Sequence, residues 1–464
     1  MVEGESLVTP KSTSLLRQLG IGSAVALVIS NMIGTGILTT SGFLAGQLGS
    51  AQLVLAIWGV GAVCALAGAF CYSELGVNFP SSGGEYVYLT EAYGPTWGFM
   101  TGWISFFAGF SAPIAAAALA FSDYLGHFWS ALRLESAWVV FGAGAWQLKL
   151  GAAQVLASGV ITLFTLINCV GIRRTARVQN VLTSLKIVII LAFLGIGFAF
   201  GTGSWGNFSH PAVRTVATPL FSQFFVSLFY IYVAYSGWNA ATYVAEELEH
   251  PARTLPWSLT YGTALVAALF IGLNVLFIYA VPLNEMKGVV AVGALAARHL
   301  FGPAVAGVFS AGMALSLLAT VNAEVTIGPR VYYAMAKNGA FFSVAAKVDP
   351  RWHTPVIAIV CQGVCSILMT VSPFLNLLLY IGLLLNFFAV LSVGSLFVFR
   401  RRPGWQKLAV VSFAFPLVPA FFVAVGIWMT VLGVMLRPAI SAVAVLTVAV
   451  GAAVYHFRLR TEPA

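Results

Sequence analysis

Along this chain, apolar runs long enough to cross a lipid bilayer follow one another almost without interruption. A spanning helix needs about 20 predominantly apolar residues. Hydropathy divides the sequence into twelve such stretches, near 19–47, 51–77, 95–124, 150–171, 178–201, 219–246, 255–281, 303–336, 354–373, 375–399, 409–432 and 438–457. Only 8% of the 464 residues are charged. A soluble chain carries about 25% charged residues, so this one has too few to build a solvated surface and must use lipid as its main solvent. The reading is an all-α integral membrane protein with twelve transmembrane helices, embedded in the bilayer and without a soluble domain. A polar tail, 1–18, precedes the first span, and a second tail, 458–464, follows the last.

The formal charge of +9 would suggest nucleic acid in a soluble protein. In a membrane protein, basic residues collect on cytoplasmic loops and fix orientation. An even number of spans puts both termini on one side. With the termini inside, 17 of the 23 Lys and Arg residues fall on the cytoplasmic side, and only Arg133, Lys149, Arg214, Lys287, Arg298 and Arg437 fall outside. Both termini are therefore expected in the cytoplasm, in a plasma or bacterial inner membrane, with no nucleic acid partner. Cys64, Cys71, Cys169, Cys361 and Cys365 all lie in apolar runs and read as packing residues, so no structural disulfide is expected. No cluster has metal-ligand spacing and no motif calls for a cofactor.

Two spans are interrupted by sequence. The first contains Ser30-Asn31-Met32-Ile33-Gly34-Thr35-Gly36-Ile37, and the sixth contains Ala234-Tyr235-Ser236-Gly237-Trp238-Asn239. Glycine weakens a helix by about 1 kcal/mol relative to alanine, and non-helical backbone survives at membrane depth only where it is buried or lines a cavity. Each interruption opens a five-helix block, 19–201 and 219–400, leaving 409–457 for the last two helices. Interrupted helices in matching positions of two halves point to inverted-repeat transport. Such a break presents amides at one half-helix and carbonyls at the other. The amides suit a carboxylate and the carbonyls an ammonium group, so a zwitterionic α-amino acid satisfies both.

Four stretches carry a family resemblance. They are Asn31 to Ile37; Tyr72-Ser73-Glu74-Leu75-Gly76 continuing through Pro80-Ser81-Ser82-Gly83-Gly84-Glu85-Tyr86-Val87-Tyr88 to Tyr93-Gly94-Pro95; Tyr235 to Asn239 with Glu246-Glu247-Leu248 and Pro251 to Pro256; and Arg330 to Gly339. In these the chain resembles the amino acid–polyamine–organocation (APC) superfamily, with its LeuT-like five-plus-five inverted repeat and two extra helices. Within it the chain looks most like the L-type amino acid transporters and their bacterial relatives. The resemblance implies that substrate carboxylate rests on the amides of Thr35, Gly36 and Ile37. It implies that substrate amine rests on carbonyls near Ile33 and Gly34 and on those of Val233, Ala234 and Tyr235, with Ser236, Gly237 and Trp238 completing the site. Two departures stand out. Val233 replaces a bulky aromatic gate, and the segment from Asp123 to Lys149 lacks the cysteine that would join a heavy chain. No disulfide-linked heavy chain is expected.

Ionisable residues inside the membrane are candidate functional groups. By the resemblance, Lys186 stands where a sodium ion binds in sodium-coupled relatives, its ammonium on carbonyls of the first break and on the hydroxyl of Thr320. Glu324, one turn after Thr320, is either a proton carrier or a constant partner of Arg330 or Lys186. Glu74, Glu246 and Glu247 either form an inner gate with Arg330 or Arg177 or are simply solvated. Phe106, Phe107, Ser111, Trp238 and Asn239 are candidates for side-chain selection; none is charged, which favours neutral substrates. The expected function is a sodium-independent secondary transporter of neutral L-amino acids working by alternating access, as proton symporter or exchanger. An amine or polyamine carrier is the alternative within transport. A receptor, channel or membrane-embedded enzyme is a further one, and no nucleophile–base pair, HExxH or GxSxG in context supports the enzyme.

Overall fold

A computed structural model describes residues 19–80, 83–142, 147–170, 172–337, 339–352 and 354–459. The expected tail 1–18, most of the tail 458–464, and Ser81, Ser82 and Asn338 of the family stretches lie outside the described residues. The described chain is mostly helical. Helices α1 (Ile21–Met32) and α2 (Thr35–Leu48) share the first apolar run, and α3 (Ala51–Asn78) follows. A short helix, α4 (Glu85–Tyr93), leads into α5, which runs over Pro95–Leu125. Then come α6 (Ala152–Cys169), α7 (Ile172–Phe200), α8 (Leu220–Tyr235), α9 (Pro251–Ala280), α10 (Val292–Lys337), α11 (Val356–Met369), α12 (Phe374–Phe399), α13 (Leu417–Leu436) and α14 (Pro438–Val454). Eleven stretches among the described residues are long and apolar enough to span a membrane. Helix α11, where a span over 354–373 is expected, has only 14 helical residues. It is apolar but shorter than a typical crossing, and Pro373 follows closely.

Three local features were not legible as periodicity. A hairpin of β1 (Ala137–Phe141) and β2 (Leu148–Gly151) occupies the start of the expected fourth span, so α6 begins only at Ala152. Helix α5 carries a π-helical turn at Ser105–Ser111. Helix α10 includes a non-helical Gly302 (φ 80°), directly before Pro303, so the expected start at 303 coincides with a kink rather than a helix end.

The packing has a pattern. Helix α2 packs on α8, α3 on α9, α5 on α10, and α6 on α11. The interiors are closed by small residues: Ala115, Ala116, Ala117, Ala118 and Ala120 of α5 are all buried. Small side chains let helix backbones approach where lipid supplies no hydrophobic drive.

Candidate functional site

Helix α1 ends at Met32, Ile33 is extended and α2 starts at Thr35. Residues 236–239 separate α8 from the 3-10 stretch Ala240–Glu247. Both interruptions read from the sequence are therefore present. They touch through reciprocal glycines. A Cβ on Gly36 would lie 2.2 Å from Ala234 Cα, and one on Gly237 would lie 2.8 Å from the carbonyl carbon of Asn31. Gly237 also has φ +97°, a conformation open mainly to glycine. The amides of Thr35, Gly36 and Ile37 are first-turn groups without an intrahelical acceptor, and none is supplied by the described residues. Facing them, the carbonyls of Ala234 and Tyr235 take no donor among the described residues. That of Val233 accepts the Ser236 amide at 3.2 Å and its hydroxyl at 2.7 Å.

A cavity of about 820 Å³ lies against these groups. Gly34, Thr35, Gly36, Val233, Ala234, Ser236, Gly237 and Trp238 of the expected site line it, with Asn239, Thr320, Glu324 and Arg330. Ile33, Ile37 and Tyr235 do not. The side chains of Ile33 and Ile37 turn into the core, and the Tyr235 hydroxyl points away to the Trp58 carbonyl at 3.1 Å. These three can contribute backbone only. Phe106, Phe107 and Ser111 are also off the wall. Phe106 packs on Tyr332 and Phe107 on Trp103, while Ser105, Gly109, Phe110 and Pro113 take the wall positions. The π-helical turn re-aims this face, which a 3.6-residue period cannot anticipate.

The cavity extends past Arg330 and Val331 to Val348, Thr354 and Pro355 at one end of the bundle. Beyond the breaks, toward the other end, the chain is tied shut. Gln47 of α2 accepts from Gln223 (2.9 Å) and Ser227 (2.8 Å) of α8. Arg214 holds the Gln47 carbonyl at 2.8 Å, and a Cβ on Gly42 would lie 2.0 Å from the Val289 carbonyl oxygen.

Lys186 is 2% exposed. Its ammonium donates to the Ser30 carbonyl at 3.1 Å and the Ile33 carbonyl at 2.5 Å, so it caps the end of α1 rather than snorkelling. The Thr320 hydroxyl does not join it. That hydroxyl is buried without a partner among the described residues and faces Gly34 across the cavity wall. Glu324 forms no ion pair within 4 Å among the described residues, with Lys186 or with Arg330. Arg330 donates back to the Thr326 carbonyl of its own helix. Glu74 stands apart from the cavity. It is fully buried and bidentate with Arg400 (2.7 and 2.5 Å), and also receives Trp405 Nε1 at 2.8 Å and the Leu408 amide at 3.0 Å. Its carboxylate is saturated, so it is not available to Arg330. The side chains of Glu246, Glu247 and Arg177 lie outside the described residues. Asn322 and Asn386 serve interhelical bonds, to Gln179 at 2.8 Å and to the Gly426 carbonyl at 2.9 Å.

The candidates for side-chain selection are uncharged, but three charged residues, Glu85, Glu324 and Arg330, also line the cavity. Glu85 was not singled out from sequence. Gly84, with φ +49°, turns the chain back just before it, and a Cβ there would meet the Tyr243 ring at 2.7 Å. Glu85 Oε1 accepts from Tyr72 at 2.6 Å and from Asn239 Nδ2 at 3.1 Å. Burial holds its carboxyl above the usual carboxylate range, while those two hydrogen bonds pull the other way. The signal for it was the acid directly after Gly83-Gly84, between two apolar runs.

Comparison with known proteins bears on this arrangement. A family model described as amino acid permease matches residues 19–454. The large neutral amino acids transporter small subunit 2 of Homo sapiens is 28% identical over 449 residues, which is 92% of this chain and 79% of that protein. The serine/threonine exchanger SteT of Bacillus subtilis is 27% identical over 427 residues, 89% of this chain and 90% of its own. The b(0,+)-type amino acid transporter 1 of Mus musculus is 28% identical over 370 residues, 79% and 72% respectively.

Proposed function

We propose, for a chain that belongs to the amino acid permease family, that it carries neutral L-amino acids by alternating access without sodium. It is driven either by a proton or by exchange against a second amino acid. The observation that carries this reading is the pair of opposed breaks. Open amides at Thr35 and Gly36 and the open carbonyl of Ala234 lie on one cavity wall, with the open Ile37 amide and Tyr235 carbonyl next to them in sequence. A carboxylate and an ammonium one carbon apart complement both. An amine or polyamine brings no carboxylate and leaves the amides of α2 unanswered, which counts against that alternative. Apolar lining from Phe110, Pro113, Leu378 and Ile381 suits an uncharged side chain. The relatives named for large neutral amino acids and for serine and threonine point the same way.

In this reading α11 is also a crossing, the ninth in chain order, which brings the total to twelve, and residues 19–201 and 219–400 are inverted repeats. The contacts of α2 with α8, α3 with α9, α5 with α10 and α6 with α11 support it, because each pairs equivalent members of the two blocks. The termini lie in the cytoplasm of a cell whose inner or plasma membrane holds the protein. The cavity end at Val348 and Thr354 then faces the cytoplasm, and the Gln47–Gln223 tie closes the outside. Lys186 supplies at the end of α1 the positive charge that sodium would otherwise bring. Glu324 remains a candidate proton site, Arg330 a candidate gate residue with Glu246 and Glu247, and no disulfide-linked heavy chain is needed. The test is counterflow of a panel of amino acids in proteoliposomes, with sodium and with choline. Saturable counterflow of neutral amino acids, equal in both salts, is expected. A strict sodium requirement, or counterflow of polyamines only, overturns the reading.

A further inference from the structure

We propose that Glu85, rather than the other candidate Glu324, is the group that binds and releases the coupling proton, so that amino acid movement through this cavity is proton symport; this rests on the transport reading above. The argument begins with the company Glu85 keeps. Tyr72 comes from α3, Tyr88 from its own helix α4, Tyr232 from α8, and Asn239 and Tyr243 from the segment after the second break. All of these either bond Glu85 or interact with it electrostatically. None is a cation. The other charged groups on the cavity wall are Glu324 and Arg330, and neither pairs with Glu85 within 4 Å. Glu74, by contrast, is fully buried yet is met by Arg400 and two N–H donors. Among the described residues Glu85 is a carboxylate without a counter-ion, and none of them neutralises it.

One of its oxygens is fixed and the other is not. Oε1 takes both hydrogen bonds, whereas Oε2 has no partner among the described residues, and Glu85 lines the cavity. While the cavity is open and wet, water solvates that oxygen. When the cavity closes, water leaves, and an unpaired carboxylate in a low dielectric is strongly disfavoured against its neutral form. Closure therefore takes a proton from the solution on the open side onto Oε2, and reopening to the opposite side releases it to the solution there. The direction in which burial already moves this carboxyl agrees. The link to substrate is direct. Asn239, which bonds Oε1, belongs to the same break as the Ala234 and Tyr235 carbonyls, so ordering that break around an amino acid also orders the carboxyl group.

The test uses the full-length protein in proteoliposomes. Uptake is measured with and without an inwardly directed acid gradient, with a protonophore control, in wild type, Glu85→Gln and Glu324→Gln, alongside counterflow at equal pH. Wild-type uptake should rise severalfold with the gradient and lose that rise with protonophore. Glu85→Gln should lose the gradient response while counterflow remains measurable, and Glu324→Gln should keep the response. A gradient response that survives in Glu85→Gln, or a wild type with counterflow but no gradient response, overturns the proposal. A wild type without counterflow of any amino acid instead overturns the transport reading beneath it. Tyr72→Phe covers the case in which Glu85→Gln does not fold. Losing a donor to the charged form raises the carboxyl's pKa, so the midpoint of the uptake–pH profile should move to higher pH. An unmoved midpoint counts against Glu85.

Discussion

The two breaks look alike in sequence and in backbone, yet they are held by opposite charges. At the first, the helix end at Ser30 and Ile33 presents carbonyls, and the Lys186 ammonium closes on them. At the second, the Asn239 side chain donates from Nδ2 to the Glu85 carboxylate. The cation of the first break comes from α7, a long helix of the scaffold, whereas the anion of the second comes from α4, a short helix ahead of α5. The lesson is that backbone pseudo-symmetry does not extend to the groups that tune it. The first break is a fixed cap on a negative helix end. The second is a neutral contact to a carboxylate that has no counter-ion among the described residues, and is the one that protonation can alter.

Removing the cap should have the largest effect. Lys186→Ala leaves two carbonyls without their donor, at about 1–3 kcal/mol for each buried unsatisfied group. Since 1.36 kcal/mol is tenfold in rate, counterflow should fall by at least about tenfold while protein remains in the membrane fraction. Unaltered counterflow would mean that the first break needs no cap, and the contrast between the breaks would collapse.

The glycine contacts come next. Gly36 is helical, and only its closeness to Ala234 forbids a side chain. Gly36→Val must separate the broken helices, at about 1–3 kcal/mol for overpacking, and should lower the thermal midpoint as well as binding. Gly34→Ala is the control, because a Cβ there meets only Thr320 atoms at 3.5 and 3.6 Å, ordinary contact. Equal stability of the two variants would break the claim that the breaks meet at Gly36.

The weaker tie is Asn239. Asn239→Ala removes one of two donors to Glu85, a bond to a charged group of about 1.5–3 kcal/mol at most. Tyr72 still holds Oε1 at 2.6 Å, so the thermal midpoint should fall less than in Gly36→Val. The pH profile of uptake should move toward higher pH, as it does for any lost donor to a carboxylate. A larger loss of stability than in Gly36→Val would make the second break the more rigid one.

Both breaks were legible because glycine and polar residues inside an apolar run conflict with a lipid-exposed helix, and hydropathy registers such a conflict. Lys186 stood out as a charge inside an apolar run, but its place at the first break came from the family resemblance. Glu85 was not, because it sits between spans, where a charge is unremarkable, and only the turn at Gly84 brings it back to the cavity. The choice of Phe106, Phe107 and Ser111 failed because one π-helical turn changes which face of α5 meets the cavity. The gate assignment of Glu74 rested on its place near a helix end. Its partner Arg400 is more than three hundred residues away in the chain, and no local pattern announces such a pairing.

The smallest effect expected is at Thr320, and it decides how far the first break's cap extends. The resemblance places this hydroxyl with Lys186, but here it is buried with no partner among the described residues, near Gly34. Thr320→Val keeps the shape and removes only the hydroxyl. Deleting a polar group that has no partner is nearly neutral or stabilising, so the thermal midpoint should stay the same or rise, with a change in stability of under about 0.5 kcal/mol. If the cap consists of the two α1 carbonyls alone, counterflow should also stay within about twofold, well short of the factor of ten that 1.36 kcal/mol would give. A tenfold fall at unchanged stability would place the hydroxyl around Lys186 in another access state. The cap would then join α1, α7 and α10, and the first break would be a three-helix clamp that closes and opens with the cavity.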